Sequence, residues 1–338
     1  MELAREQPFD EKFYLKGISR RLINDEYEYY YIKNDKEVSK KDKNRIKQLK
    51  LPPNWEKVWI SSDSETPIQA TGIDGKGRKQ YRYNNQHIER AEKEKFLRLS
   101  EFLESIPKLQ KKMDLDNKLN PYDLNRVIST MLTLVKELHI RVGKECYARL
   151  NKSYGITSLK KIHLSLSDSQ GKLRFKGKSN KRLSYSTNNK EVLKHLKLLL
   201  LLEGDKLFQY VDENGKVRRV TDTDLNQYIQ QYMGEKFTCK DFRTYAANHH
   251  FIRNLLNETN KRKPKNTKII KKNITEALKK TAFYLRHTKA ISKKSYVMNF
   301  TLNLYENDPK YFINRKDQNP NKVLSEILKL YKKEVLNI

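Results

Sequence analysis

Cysteine is almost missing from this chain: Cys146 and Cys239 are the only two in 338 residues. Two thiols cannot by themselves build a disulfide framework or a metal site. The expected setting is therefore reducing and intracellular, with both thiols buried. Long apolar runs are missing too. The run Leu196 to Leu202 falls far short of the roughly 20 residues a membrane-spanning helix needs. No lipidation signal or strongly amphipathic basic terminus is present, and the polar, acidic start Met1 to Asp10 does not read as a secretory leader. No membrane partner is expected. Internal repeats, a Walker loop, an HExxH pair and a metal-spaced cluster are also absent, so no cofactor or metal is expected. Acidic residues are in deficit, 41 Asp and Glu against 71 Lys and Arg, for a formal net charge of +30. Such an excess repels itself in a compact fold and is normally matched by a polyanion, with nucleic acid the leading one. Hydrophobic content is 37%, below the usual ~45–50%, but its leucines, isoleucines and tyrosines are patterned. The length allows two domains with their own cores.

Read in order, residues 18–32 predict a strand pair turning at Asn24-Asp25. A short helix follows from Ser39 to Leu49, ended by Leu51-Pro52-Pro53. Strands are expected at Trp55–Ile60, Ile68–Gly72 and Arg78–Tyr83, the last placing Lys79, Tyr81 and Tyr83 on one face. From His87 the apolar spacing becomes helical as far as Ile106. The chain thus divides into a β-rich piece, 1–86, and a mainly helical piece, 87–338. In the second piece Pro107–Asn120 reads as a polar connection. Pro121 then opens a long helix running up to Arg141. Period-two alternation between 157 and 186 predicts a small three-stranded antiparallel sheet with Lys178 at a turn. Helices are expected at 191–202, from Thr223, from the T-x-x-D start Thr238–Asp241 to Leu256, at 275–285 and near the C-terminus. Lys261–Lys272 reads as a mobile basic loop.

One stretch, Tyr284 to Val297, sets His287 nine residues before Tyr296 on a cationic segment. A tyrosine hydroxyl, with a pKa of about 10, is a poor nucleophile at neutral pH unless cations surround it. By itself the segment also fits a surface tyrosine in a solvated lysine-rich loop. The blocks IRVGKECY (140–147), RFKGKS (174–179), FTCKDFRTYAAN (237–248) and LRHTKAISKKSYV (285–297) occur in that order, after LPPNWEKVWIS and IQATGIDGKGRKQYRY. Together they resemble the type IB DNA topoisomerases in their compact poxvirus, giant-virus and bacterial form, over nearly the whole chain.

The resemblance implies an α+β protein with a β-rich DNA-clamp domain. Its catalytic domain would be mainly α-helical, with a three-stranded antiparallel sheet, in the fold shared by tyrosine recombinases and type IB topoisomerases. It makes Tyr296 the nucleophile, with Arg141, Lys178, Arg243 and His287 around the scissile phosphate, and Gln80, Tyr81, Tyr83, Lys144 and Tyr147 near DNA. Lys79 and Lys293 join these as basic contacts. The chemistry wants such a set, because guanidinium groups stabilise charge on a phosphodiester under attack and a lysine can protonate the leaving hydroxyl. Each residue also has a plain alternative: an ion pair of Arg243 with Asp241, a helix cap at Arg141, a core histidine at 287, a solvated turn lysine at 178. The implied activity is relaxation of supercoiled DNA through a 3′-phosphotyrosyl intermediate, without ATP or required metal, by a monomer clamping a duplex. A tyrosine site-specific recombinase or integrase is the alternative. Against it stand Lys240-Asp241-Phe242-Arg243, where recombinases usually carry His-x-x-Arg, and the clamp-like N-terminal piece. A basic clamp that has lost its chemistry is a further rival. The Lys-, Asn- and Ile-rich composition points to a viral source, hence to cytoplasm or virion.

Overall fold

The computed structural model describes residues 14–337, so the Met1–Asp10 segment lies outside the described residues. The chain forms two compact units, divided between Lys95 and Phe96.

The first unit holds a five-stranded antiparallel sheet of order β2-β1-β3-β4-β5. Its strands are β1 (Gly17–Ile23), β2 (Glu26–Tyr31), β3 (Glu56–Ser61), β4 (Ile68–Ile73) and β5 (Lys79–Tyr83). Asn24 and Asp25 both take positive φ, 48° and 64°, the two-residue turn that suits the twist of a hairpin. Helix α1 (Lys40–Gln48) begins at Ser39, whose hydroxyl accepts from the Asp42 N–H. It lays Ile46 onto Ile18, Ile60 and Ala70. Strand β5 is an edge.

Helix α2 runs from Asn85 to Asp116 and passes straight through Pro107. The expectation of a polar connection there was wrong. The proline forfeits one backbone hydrogen bond. The stripe Phe96, Leu99, Phe102 nevertheless continues as Leu109 and Met113, all buried. At the end of the helix Asp116 is held by Lys112 at 2.6 Å and by the Tyr228 hydroxyl at 2.6 Å. Packing and a satisfied buried carboxylate outweigh the local break. Helix α3 spans Leu124–Leu138, with Asp123 as N-cap and His139 as a left-handed C-cap. Pro121 therefore precedes the helix, and Arg141 lies beyond its end, correcting both expectations.

Past α3 come α4 (Glu145–Asn151) and the three-stranded sheet β6 (Leu164–Leu166), β7 (Gly171–Gly177) and β8 (Lys181–Thr187). Leu164 pairs with Leu173, and Gly177 with Lys181. Next are α5 (Lys190–Leu199), the hairpin β9 (Gln209–Val211) and β10 (Val217–Arg219), and α6 (Asp222–Met233). The capping box that starts α6 is Thr221/Asp224, two residues before the expected start. Thr238/Asp241 caps α7, which extends from Cys239 to Lys261. Only 262–266 separate it from α8 (Thr267–Tyr284), capped by Asn266. The expected basic loop at 261–272 is thus mostly helix. Its lysines sit on the outer side, while Asn273 is buried and donates to the Arg262 carbonyl at 2.9 Å. Helices α9 (Lys289–Ile291), α10 (Asn299–Asn307), α11 (Pro309–Ile313) and α12 (Pro320–Leu336) complete the chain. The core runs through α2, α3, α5, α6, α7, α8, α10 and α12. Of the two thiols Cys239 is buried, and burial pushes its pKa up to about 12. Cys146, on α4, is exposed and not buried as expected.

Candidate active site

Four chain segments of the second unit bring charged groups to one place. The α8 C-terminus closes with a Schellman arrangement, in which Arg286 (φ 53°) takes the left-handed position and the His287 N–H bonds back to the Ala282 carbonyl at 3.0 Å. That turn sends His287 inward. The chain then makes one short helical turn and a π-turn over Ser292–Tyr296, closed by the Val297 N–H on the Ser292 carbonyl at 2.9 Å. Rare π-turns mark sites where a side chain must be aimed. Here the side chain is Tyr296, whose ring centroid lies 5.0 Å from that of His287 and 5.7 Å from the Arg243 guanidinium.

Asn248, on α7, holds this turn from both ends. Its amide donates to the Tyr296 carbonyl at 3.0 Å, and its oxygen accepts from the Met298 N–H at 2.9 Å. A buried asparagine between Ala247 and two histidines was overlooked in the sequence. The usable signal was that a buried amide must find partners.

Arg243 sits one turn into α7 and is only 3% exposed. Asp241, its suspected surface partner, pairs instead with Arg98 at 3.0 Å. The guanidinium is carried by two backbone carbonyls, His139 on one side and Leu285 (2.9 Å) on the other. Arg141 lies on an extended stretch strapped to 155–157. Its carbonyl accepts from the Ile156 N–H at 2.8 Å, and the Val142 carbonyl from the Thr157 N–H at 2.9 Å. Gly143 (φ 77°) makes this possible, since a Cβ there would come within 2.5 Å of the Gly155 backbone. Lys178 is exposed at the β7–β8 turn, where Ser179 and Asn180 take φ of 63° and 58°.

The electrostatics follow from this crowding. Burial alone would raise the Tyr296 phenol, but Arg243, then Arg141 and Lys178, outweigh it and hold the pKa below the usual 10. Burial, reinforced by Arg243, Arg141 and Lys181, pushes His287 down to about 3, so its ring is neutral. Its Nε2 shares a hydrogen bond of 2.9 Å with the Ser292 hydroxyl. The buried Nε of Arg243 and Nδ1 of His287 meet no hydrogen-bond partner among the described residues. Polar atoms buried in this way are rare unless something else completes them. Lys181 was not anticipated, because nothing in its turn sequence separates it from Lys178.

Of the expected DNA-facing residues, Lys144, Tyr147 and Lys293 are exposed in this unit. In the first unit β5 carries Lys79, Tyr81 and Tyr83 on one pleat face, the two tyrosine rings stacked at 6.0 Å. Gln80 falls on the other face and donates to Asp74 at 2.9 Å.

Residues 82–318 match the eukaryotic DNA topoisomerase I catalytic core, and 27–74 the bacterial DNA topoisomerase IB N-terminal domain. The DNA topoisomerase 1B of Acanthamoeba polyphaga mimivirus is 54% identical over 97% of this chain and 99% of its own length. That of vaccinia virus (Copenhagen strain) is 25% identical over 75% of this chain and 78% of its own. A solved site-specific recombinase bound to its DNA substrate shares 16% identity over 66% of this chain and 58% of its own, with a TM-score of 0.28, too remote to weigh. The fold and the matches define a DNA isomerase with a mainly helical catalytic domain. The chain belongs to the type IB DNA topoisomerases, enzymes that relax supercoiled DNA by breaking and resealing one strand. No described helix is long and apolar enough to cross a membrane.

Proposed function

We propose that Tyr296 is the nucleophile of this topoisomerase and that Arg141, Lys178, Arg243 and His287 surround the scissile phosphate. The observation that carries this is the pair of buried, unpartnered nitrogens, Arg243 Nε and His287 Nδ1, beside a phenol whose pKa is lowered by Arg243, Arg141 and Lys178. A phosphodiester oxygen supplies the missing partners.

As Tyr296 Oη attacks phosphorus its proton passes to water, and negative charge grows on the non-bridging oxygens. Arg243 and Arg141 stabilise that charge from fixed positions, which costs little reorganisation at the moment of reaction. Neutral His287 adds one hydrogen bond. Lys178 gives a proton to the departing 5′-oxygen as general acid. The product is a 3′-phosphotyrosyl bond and a free 5′-hydroxyl. After the broken end rotates, the reverse displacement reseals the strand, with Lys178 taking the proton back. Bond energy is conserved throughout, so no nucleotide is consumed.

Lys144, Tyr147 and Lys293 bind duplex near this centre. The domain of residues 1–86 adds Lys79, Tyr81 and Tyr83 on β5, with Gln80 on its other face, as a second surface of cations and stacking rings. The protein works as a monomer on double-stranded DNA inside an infected cell. The test is a denaturing gel after incubation with duplex. The intact protein should leave a covalent DNA adduct and relax plasmid without ATP, and Tyr296→Phe should do neither. An active Tyr296→Phe protein overturns the assignment.

A further inference from the structure

A single side chain, His250, touches both His139 and Tyr284, which lie at or next to the two carbonyls that carry Arg243. It lies seven residues after Arg243 on α7, hence on the same face two turns on. Its Nε2 shares a 2.7 Å hydrogen bond with Nε2 of His139, the residue whose carbonyl accepts from Arg243 Nη1. The other face of the ring lies flat on Tyr284, at 4.6 Å and 6°. Tyr284 directly precedes Leu285, whose carbonyl accepts from Nη2 at 2.9 Å. Arg253 covers Tyr284 at 4.9 Å from its centroid.

His139 has a second constraint, because it is the left-handed cap of α3 (φ 55°, ψ 35°). A β-carbon-bearing residue in that conformation is held by its surroundings, and the chain leaving it reaches Arg141 two residues later. An Nε2-to-Nε2 bond also needs one ring to present a proton and the other a lone pair, so the accepting imidazole must be neutral. Their surroundings enforce this. Burial, Arg243, Arg253 and His249 hold His139 at about 4, and burial, His139, Arg253 and His249 hold His250 at about 3.

Resting on the catalytic assignment of Arg243, we propose that His250 is the positioning residue of the site, and that with His139 and Tyr284 it fixes where the Arg243 guanidinium points and where the Arg141 strand begins. None of the three touches the phosphate. They act through the carbonyls that Arg243 donates to. Misplacing a transition-state group by about 1 Å can cost about a hundredfold in rate, so loss of the imidazole bond should be felt in the chemical step and not in DNA affinity.

The experiment uses the full chain and a duplex with a mapped cleavage site, nicked so that the cleaved strand dissociates and single-turnover adduct formation is read. His250→Phe keeps the stack on Tyr284 but loses the bond to His139. His139→Gly keeps the left-handed cap without the ring. Each should slow adduct formation about tenfold or more, while duplex affinity, measured in a Tyr296→Phe background, stays within about twofold. The double variant should be no slower than the worse single one. His250→Gln, which can still reach His139 with an amide, should recover part of the rate. Arg243→Ala supplies the decisive comparison, followed over hours. Adding His250→Phe to it should change nothing further, whereas a generally loosened fold would slow both backgrounds by the same factor. If Arg243→Ala itself keeps its rate, the catalytic assignment fails. If Arg243→Ala is slow but His250→Phe is fully active, or slows both backgrounds equally, the positioning role alone is refuted. Should His250→Phe not fold, His139→Gly and His250→Gln carry the same comparison.

Discussion

Acid should weaken the catalytic unit well before its carboxylates protonate, because its folded core keeps several histidines neutral. His139 stands at about 4, and His250 and His287 at about 3, against about 6.5 in an unfolded chain. Between those values the unfolded state binds more protons, so folding stability is intact above pH 6.5 and drains away as pH falls toward 4. From pH 7 to 5 one such histidine costs about 2 kcal/mol by linkage. His139 and His250 share one hydrogen bond and are not independent, so together they count for about 2 kcal/mol, and partly buried His287 for about 1 after screening. The total of about 3 kcal/mol is a large part of the ~5–15 kcal/mol that holds a typical protein together. The assay is calorimetric unfolding at pH 7, 6 and 5. It should be run in about 0.5 M salt, so that extra repulsion on a +30 chain is screened while buried sites are not. His287→Asn should flatten the slope by about a third. A melting temperature that stayed constant or rose from pH 7 to 5 would show that these rings carry protons in the fold, and the reasoning would collapse.

Asn248→Ala removes both bonds that seat Tyr296 and Met298, and should slow adduct formation at least tenfold with unchanged DNA affinity; equal rates would show the turn holds itself. Gly143→Ala meets the Gly155 backbone at 2.5 Å from a positive φ and should cost more than about 1 kcal/mol in denaturant unfolding as well as activity; a neutral result would mean the Arg141 strand is looser than it looks. Duplex affinity of Tyr296→Phe should fall steeply, by about a thousandfold or more between 50 and 200 mM salt, if six or more phosphates are neutralised. A shallow slope would leave the +30 charge without its partner.

Much of this was legible in the residues, and the exceptions share a cause. The Asn24-Asp25 hairpin, the three-stranded antiparallel sheet β6–β7–β8 and the Thr238/Asp241 cap are set by local chemistry, and local chemistry was readable. Pro107 misled because its cost is local, whereas Leu109, Met113 and the Asp116–Tyr228 bond that outweigh it are tertiary. The basic stretch 261–272 misled similarly, since its charge faces outward while Asn273 anchors the helix within. At the site the family blocks carried the residues proposed here to meet DNA. They gave no role to Asn248, His139 and His250, which meet other parts of the chain and whose partners lie about 40 to 110 positions away.

The π-turn at Ser292–Tyr296 has a consequence for how this chain can change. Lys293 and Lys294 face outward, so either can be exchanged for another cation without redirecting the phenol. The direction of the phenol is written elsewhere, in an asparagine 48 positions upstream that bonds both ends of the turn. Homologues should therefore exchange arginine and lysine beside the nucleophile while holding that distant amide constant.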